Sequence, residues 1–133
     1  MRFFVRLIGS LFALGLVVMG LEMIAAESGE VVVLRTTGDD GQPRETRLWV
    51  VDESGRQWLR AGSPQSSWLL DIQREPAVEM ERNGHTAPYT AVPDVSARQR
   101  LNVLFALKYG WADDYIAMLF GREDATPIRL DPR

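Results

Sequence analysis

The stretch TTGDDGQPRETRLWVV, Thr36 to Val51, decides how this chain folds. Upstream of it, Val31 to Thr36 is a β-branched run that reads as a buried strand. A polar, glycine-bearing tip, Asp39 to Glu45, reverses the chain, and Thr46 to Asp52 leaves again as an antiparallel partner. The tip carries two acids and an arginine. Such a tip is either a solvated turn or half of a site for an anion.

Working outward, Glu53-Ser54-Gly55 is a turn and Arg56 to Ala61 is a third strand. Trp49 and Trp58 lie in these strands and are expected to pack in the core. Ser63 is placed to cap a helix, with Pro64 in its first turn and Trp68, Leu69 and Ile72 at helical spacing. Pro76 stops that helix, because proline disfavours helical geometry in the residue before it. Ala77 to Arg82 alternates apolar and charged residues, Asn83-Gly84 is a two-residue hairpin signal, and His85 to Val92 returns. Pro93-Asp94 opens a helix with Leu101, Leu104 and Phe105 on its apolar side, ended by Gly110. Trp111 to Phe120 is a further short helix, and Thr126 to Leu130 a last strand. Six strands joined largely as hairpins, with two or three helices between them, predict a mainly β (α+β) domain: an antiparallel barrel, closed or half closed.

The first 26 residues form a separate unit. Arg2 and Arg6 precede a charge-free run from Leu7 to Leu21. That pattern fits an uncleaved hydrophobic helix anchoring the chain in a membrane, or a secretory signal cleaved after Ala25-Ala26, or a buried or interfacial helix. In the anchored reading the basic end stays cytoplasmic and residues 28–133 lie on the other side; in the cleaved reading the domain is secreted.

Composition narrows the chemistry. The 133 residues match one domain, and a net charge of −3 argues against a general nucleic-acid binder. There is no cysteine, which excludes disulfides, thiolate metal sites and a cysteine nucleophile. His85 is the sole histidine, so no histidine metal cluster is expected and no metal site is assigned. No side chain is set by its neighbours as a nucleophile or general acid. That fits chemistry carried by a bound cofactor.

The ordered set of TTG (Thr36 to Gly38), GQPRETRL (Gly41 to Leu48), AGS (Ala61 to Ser63), Trp68, EPAVEM (Glu75 to Met80) and TPIRLDP (Thr126 to Pro132) resembles the deazaflavin-dependent nitroreductase family. That family belongs to the split β-barrel class of pyridoxamine-phosphate oxidase-like flavoproteins. The resemblance implies a cofactor lying across the barrel, either a deazaflavin coenzyme (F420-type) or FMN. It places Arg44 on the cofactor's phosphate tail, Thr46 and Leu48 beneath its ring, and Ala61, Gly62 and Ser63 at the turn into the helix. Arg60 could reach the same anion, and Tyr115 falls in the region that closes over the substrate. The activity implied is hydride transfer to a quinone-like or nitro-aromatic acceptor, as a nitroreductase or quinone reductase. A homodimer is the implied assembly. Asp39-Asp40 depart from the family's basic hairpin and repel a polyanionic tail, which keeps a cofactor-free ligand- or protein-binding module as the alternative.

Overall fold

The second strand of the opening hairpin and the strand that follows it are neighbours in sequence but lie at opposite edges of one sheet. The structure, a computed structural model, describes residues 2–27 and 29–133, and their side chains apart from those of residues 19–27 and 120. The chain runs α1 (Arg2–Glu27), β1 (Val31–Thr37), β2 (Pro43–Trp49), β3 (Val51–Glu53), β4 (Arg56–Ala61), α2 (Ser67–Arg74), β5 (Ala77–Arg82) and β6 (His85–Pro93). A 3-10 turn (Val95–Ala97) leads into α3 (Arg98–Tyr109), α4 (Trp111–Phe120) and β7 (Thr126–Pro132). The antiparallel sheet has the order β2-β1-β5-β6-β7-β4-β3. Laid flat, seven strands would separate β2 from β3 by about 29 Å. A single residue, Val50, joins them, so the sheet must roll until its edges meet. Sequence order and pairing order together therefore require a split barrel.

The expectation of six strands is corrected to seven. Thr46 to Asp52 looked like one strand because LWVV is continuously apolar. The chain instead leaves the β1 edge after Trp49 and joins the β4 edge at Val51. Val50, fully buried, is the hinge of that switch. Four α-helices are present among the described residues: α1, and three around the barrel, the upper end of the two or three expected there.

The opening hairpin closes at Thr37↔Pro43. Its tip is tightened by Gly38 N–H donating to the Gln42 carbonyl at 2.8 Å and by Gln42 N–H donating to Asp40 Oδ1 at 3.0 Å. Asp40 is thus a turn-forming residue. Asn83 and Gly84 adopt φ of 52° and 79°, the left-handed pair expected of a two-residue hairpin.

Strand alternation sorts β4 cleanly. Leu59 and Ala61 point into the barrel with Leu34, Met80, Ile128 and Leu130, where α2 plugs one end with Trp68, Leu69 and Ile72. Trp58 and Arg60 point outward, where α3 covers them with Leu101, Phe105 and Tyr109. Both tryptophans pack as expected, although Trp49 and Trp58 face α3 rather than the barrel interior.

Helix α1 exposes most of its described apolar side chains, including Phe3, Phe12 and Val17. It touches the domain at α4, where the Tyr115 hydroxyl donates to the Val18 carbonyl at 3.1 Å. Among the described residues, no helix is long and apolar enough to cross a membrane.

Candidate functional site

Where β2 and β4 approach across the split, α3 and α4 roof a cavity of about 210 Å³. Its lining comes from β2 (Arg47, Leu48, Trp49), from β4 and the residue after it (Arg60, Gly62), from α3 (Phe105), from α4 (Ile116), and from Arg122 just beyond. Three of the sequence-derived site residues, Leu48, Arg60 and Gly62, therefore meet in one place. Trp49 and Tyr109 stack with ring centroids 4.3 Å apart and planes 9° from parallel, and Phe105 continues the stack at 6.0 Å. The walls are thus flat and aromatic.

One wall is cationic. The Arg60 side chain is only 6% exposed, and its guanidinium lies 4.3 Å from the Phe105 ring centroid. Its terminal nitrogens donate to Asn102 Oδ1 at 3.1 Å and to Asp113 Oδ1 at 2.6 Å. Arg122 donates to the same Asp113 oxygen at 2.5 Å. Burial is the strongest influence on Arg60 and draws its pKa below the usual arginine range, with the Asp113 hydrogen bond opposing it. Asp114 lies on the exposed side of α4, whereas its neighbour Asp113 is 4% exposed and anchors two arginines.

The split is pinned by Tyr109. Its hydroxyl accepts from Val50 N–H at 2.9 Å and donates to the Glu30 carbonyl at 2.6 Å. Burial pushes the Tyr109 hydroxyl up to about 12. Beside it, Lys108 donates to the Val50 carbonyl at 2.7 Å.

Arg44 is not paired to the hairpin-tip acids. Its Nε donates to Asp71 Oδ2 at 2.7 Å, while 41% of its side chain stays exposed. Asp71 is 2% exposed and also accepts from the Thr36 hydroxyl at 2.8 Å and from Arg74 at 3.0 Å. Burial pushes the Asp71 pKa up, but those three donors outweigh it and leave the group below the usual carboxylate range. Thr46 lies on the same face of β2 as Arg44 and Leu48.

Ser63 does not cap the helix. It forms a local turn, accepting from Gln65 N–H at 3.1 Å, and α2 begins only at Ser67 behind Ser66. Pro64 lies in that turn, so its fixed φ shapes the approach to the helix rather than its first turn. Ala61 is fully buried in the barrel and does not reach the cavity. Tyr115 faces α1, and the α4 residue that reaches the cavity is Ile116. Among the described residues no acidic, histidine or cysteine cluster could hold a metal ion.

Asp71, Arg74, Asp113 and Arg122 were missed from sequence. For Asp71 a signal existed: it follows Trp68 by three residues and precedes Ile72, which puts it on the apolar face of α2. Arg60 gave a parallel signal. It alternates with the core residues Leu59 and Ala61 on a covered strand, so it required a buried acidic partner.

A rolled antiparallel sheet split at Val50, with helices roofing a flat cavity at the split, defines a split β-barrel. A profile of the family described as F420H(2)-dependent quinone reductase matches residues 18–129, and the chain belongs to that family. Among solved structures, one described as an F420-H2 dependent reductase aligns at 23% identity and a TM-score of 0.61, covering 77% of this chain and 94% of that one. A structure described as a domain-swapped dimer aligns at 22% identity and a TM-score of 0.61, covering 77% and 80%. A putative pyridoxamine 5'-phosphate oxidase from Listeria innocua aligns at 13% identity and a TM-score of 0.57, covering 84% and 90%. Comparison with curated protein sequences gave no significant match.

Proposed function

We propose that this protein is a deazaflavin-dependent oxidoreductase that reduces a quinone-like or nitro-aromatic acceptor at a membrane surface. The observation that carries the reading is the cavity at the split. Leu48, Trp49, Phe105 and Ile116 give it apolar, planar walls, and Arg60 and Arg122 give it a cationic one. About 210 Å³ is less than whole small-molecule ligands generally occupy, so it suits the ring portion of a cofactor whose tail runs outside. The tail is assigned to Arg44 at the end of the first hairpin, with Arg74 beside it on the shared Asp71. Thr46 lies between the two sites, and Gly62 and Ser63 form the turn next to the ring.

When bound, the cofactor supplies a hydride. The protein holds the ring against Trp49 and Phe105, excludes water by means of α3 and α4, and leaves the α4 side for the acceptor. Ile116 lines the cavity, and Met118 and Leu119 on the same helix are exposed. With the apolar flank of α1 beside them, they make a surface suited to a hydrocarbon phase, and Arg2 and Arg6 suit anionic headgroups. Helix α1 is assigned the anchoring role on this basis. Flotation of the full chain with liposomes tests it; recovery in the lipid-free fraction without detergent counts against it.

A second reading has its own support. Asp39 and Asp40 make the hairpin tip acidic, and Arg44 already has a buried carboxylate partner. Both features favour a shorter flavin such as FMN, or a cofactor-free binding module. Titrating the full chain in mild detergent with oxidised deazaflavin coenzyme and with FMN separates the readings. Saturable deazaflavin binding, weakened about tenfold by Arg44→Ala through loss of a charge-assisted bond, is expected. FMN binding alone, or no binding at high micromolar concentration, contradicts it. Sedimentation of the same sample tests the homodimer.

A further inference from the structure

We infer that the Gly29–Glu30 segment is a latch through which helix α1 and the aromatic wall of the split cavity act on each other: lipid contact at α1 tightens ring binding in the cavity, and ring binding tightens lipid contact. This rests on the roles proposed above for α1 and for the cavity.

The segment that leads from α1 into β1 lies against the ring of Tyr109. Gly29 has φ of 75°, and a Cβ there would sit 3.0 Å from Tyr109 Cδ1. The next carbonyl, that of Glu30, accepts from the Tyr109 hydroxyl at 2.6 Å. The Glu30 carboxylate accepts from Lys108 at 2.7 Å and from two nitrogens of Arg82, each at 2.9 Å. Arg82 is itself held by Asp52 of β3 and Gln57 of β4. Lys108 and Tyr109 in turn hold the carbonyl and the amide of Val50. Tyr109 carries the contact onward. Its ring stacks on Trp49 and Phe105, and both of those line the cavity. The residues that leave α1 therefore bear directly on the wall proposed to hold the ring.

The other end of α1 is held less firmly. It rests on α4, where the bond from the Tyr115 hydroxyl to the Val18 carbonyl is open to solvent. Phe3, Phe4 and Val5 follow one another at steps of about 100° round the helix, and all three are exposed. Three sides of α1 are thus apolar. A groove in a protein partner covers one side, whereas a lipid phase covers them all. In water such a helix pulls on Gly29–Glu30 in changing directions. Fixed in lipid, it holds the latch in one setting. Ring binding selects the same setting, because Tyr109 must keep Trp49 flat against the cavity. Two ligands that order one segment strengthen each other by equal factors.

The test uses the full chain, phosphatidylcholine vesicles, whose surface carries no net charge, and oxidised deazaflavin coenzyme. Vesicles alone should slow exchange of the Val50 amide, the proton held by Tyr109, by about fivefold. Vesicles should also lower the Kd of the coenzyme about fivefold, and the coenzyme should tighten vesicle binding by the same factor. Glu30→Gln removes the charge that draws in Lys108 and Arg82, keeps the carbonyl bonded to Tyr109 and leaves α1 unaltered. Without coenzyme it should bind vesicles as the unaltered chain does. The vesicle effect on Val50 exchange and on coenzyme binding should shrink to less than about twofold. A Glu30 that only stabilises the fold would lower the melting temperature and leave both effects in place, which overturns the latch. Should Glu30→Gln fail to fold, Lys108→Met cuts the same latch from α3 and is read in the same way. Vesicles and coenzyme that both bind but ignore each other, with Val50 exchange unchanged, overturn the latch alone. No vesicle binding overturns the membrane reading and the latch together. No coenzyme binding, with Val50 exchange still slowed by vesicles, overturns the cofactor reading and sustains the latch.

Discussion

Replacing Tyr109 with Phe removes one oxygen from the point where the barrel changes edges. The ring stack on Trp49 survives, so the loss is polar. Val50 N–H loses its acceptor, while the Val50 carbonyl keeps Lys108 at 2.7 Å. Val50 is fully buried, so its amide has no water to turn to. A buried donor left unsatisfied costs about 1–3 kcal/mol. Taking about 2 kcal/mol, and about 3–4 °C per kcal/mol for a chain of this size, the melting temperature should fall by about 6–8 °C. Near-UV circular dichroism during heating measures it, and hydrogen exchange at the Val50 amide localises it. The same variant carries a pH signature. A phenol pushed up to about 12 in the fold, against about 10 unfolded, stabilises the fold fully below pH 10. That contribution is lost as pH rises through the folded value, so the native protein should weaken between about pH 10 and 12 and Tyr109→Phe should lack this part of the decline. A melting shift below about 1 °C, with Val50 exchange unchanged, would refute the claim that this hydroxyl holds the split.

On the acid side, Arg82 and Lys108 hold Glu30 below the usual carboxylate range, and Asp71 is held low by Thr36, Arg44 and Arg74 despite its burial. Depressed folded-state values stabilise above the unfolded pKa, so stability should be flat above about pH 5 and fall below about pH 4. Acid titration of Asp71→Asn should show a shallower fall; an unchanged slope contradicts the assignment. Leu59→Ala, at a fully buried barrel position, should cost about 2–5 kcal/mol in urea unfolding, against less than about 0.5 kcal/mol for Leu107→Ala on the exposed side of α3. Asn83→Ala, at φ of 52°, should cost about 1–2 kcal/mol through left-handed strain.

The elements were legible in the sequence because their signals are local. TTG and GQP close the first hairpin, Asn83-Gly84 the second, and Gly110 separates α3 from α4. The break at Val50 was not legible, because an apolar run fits one long strand as well as two short ones. It becomes necessary only once the pairing of β4 with β7, and of β7 with β6, is known. The arginines were legible as candidates but their partners were not. Arg44 meets Asp71 across 27 residues and Arg60 meets Asp113 across 53, distances over which pattern carries no information. Acidic residues default to solvent, so Asp113 looked like its neighbour Asp114. The fold alone brings it under two arginines.

Fluorescence titration of oxidised deazaflavin coenzyme with the full chain in mild detergent tests the central claim most directly. Saturable binding that Phe105→Ala weakens, together with quenching of Trp49 emission, is the predicted result: both side chains line the ring cavity. Binding that leaves Trp49 emission unchanged and is indifferent to Phe105→Ala, or no binding at all, would contradict the placement of the cofactor at the split.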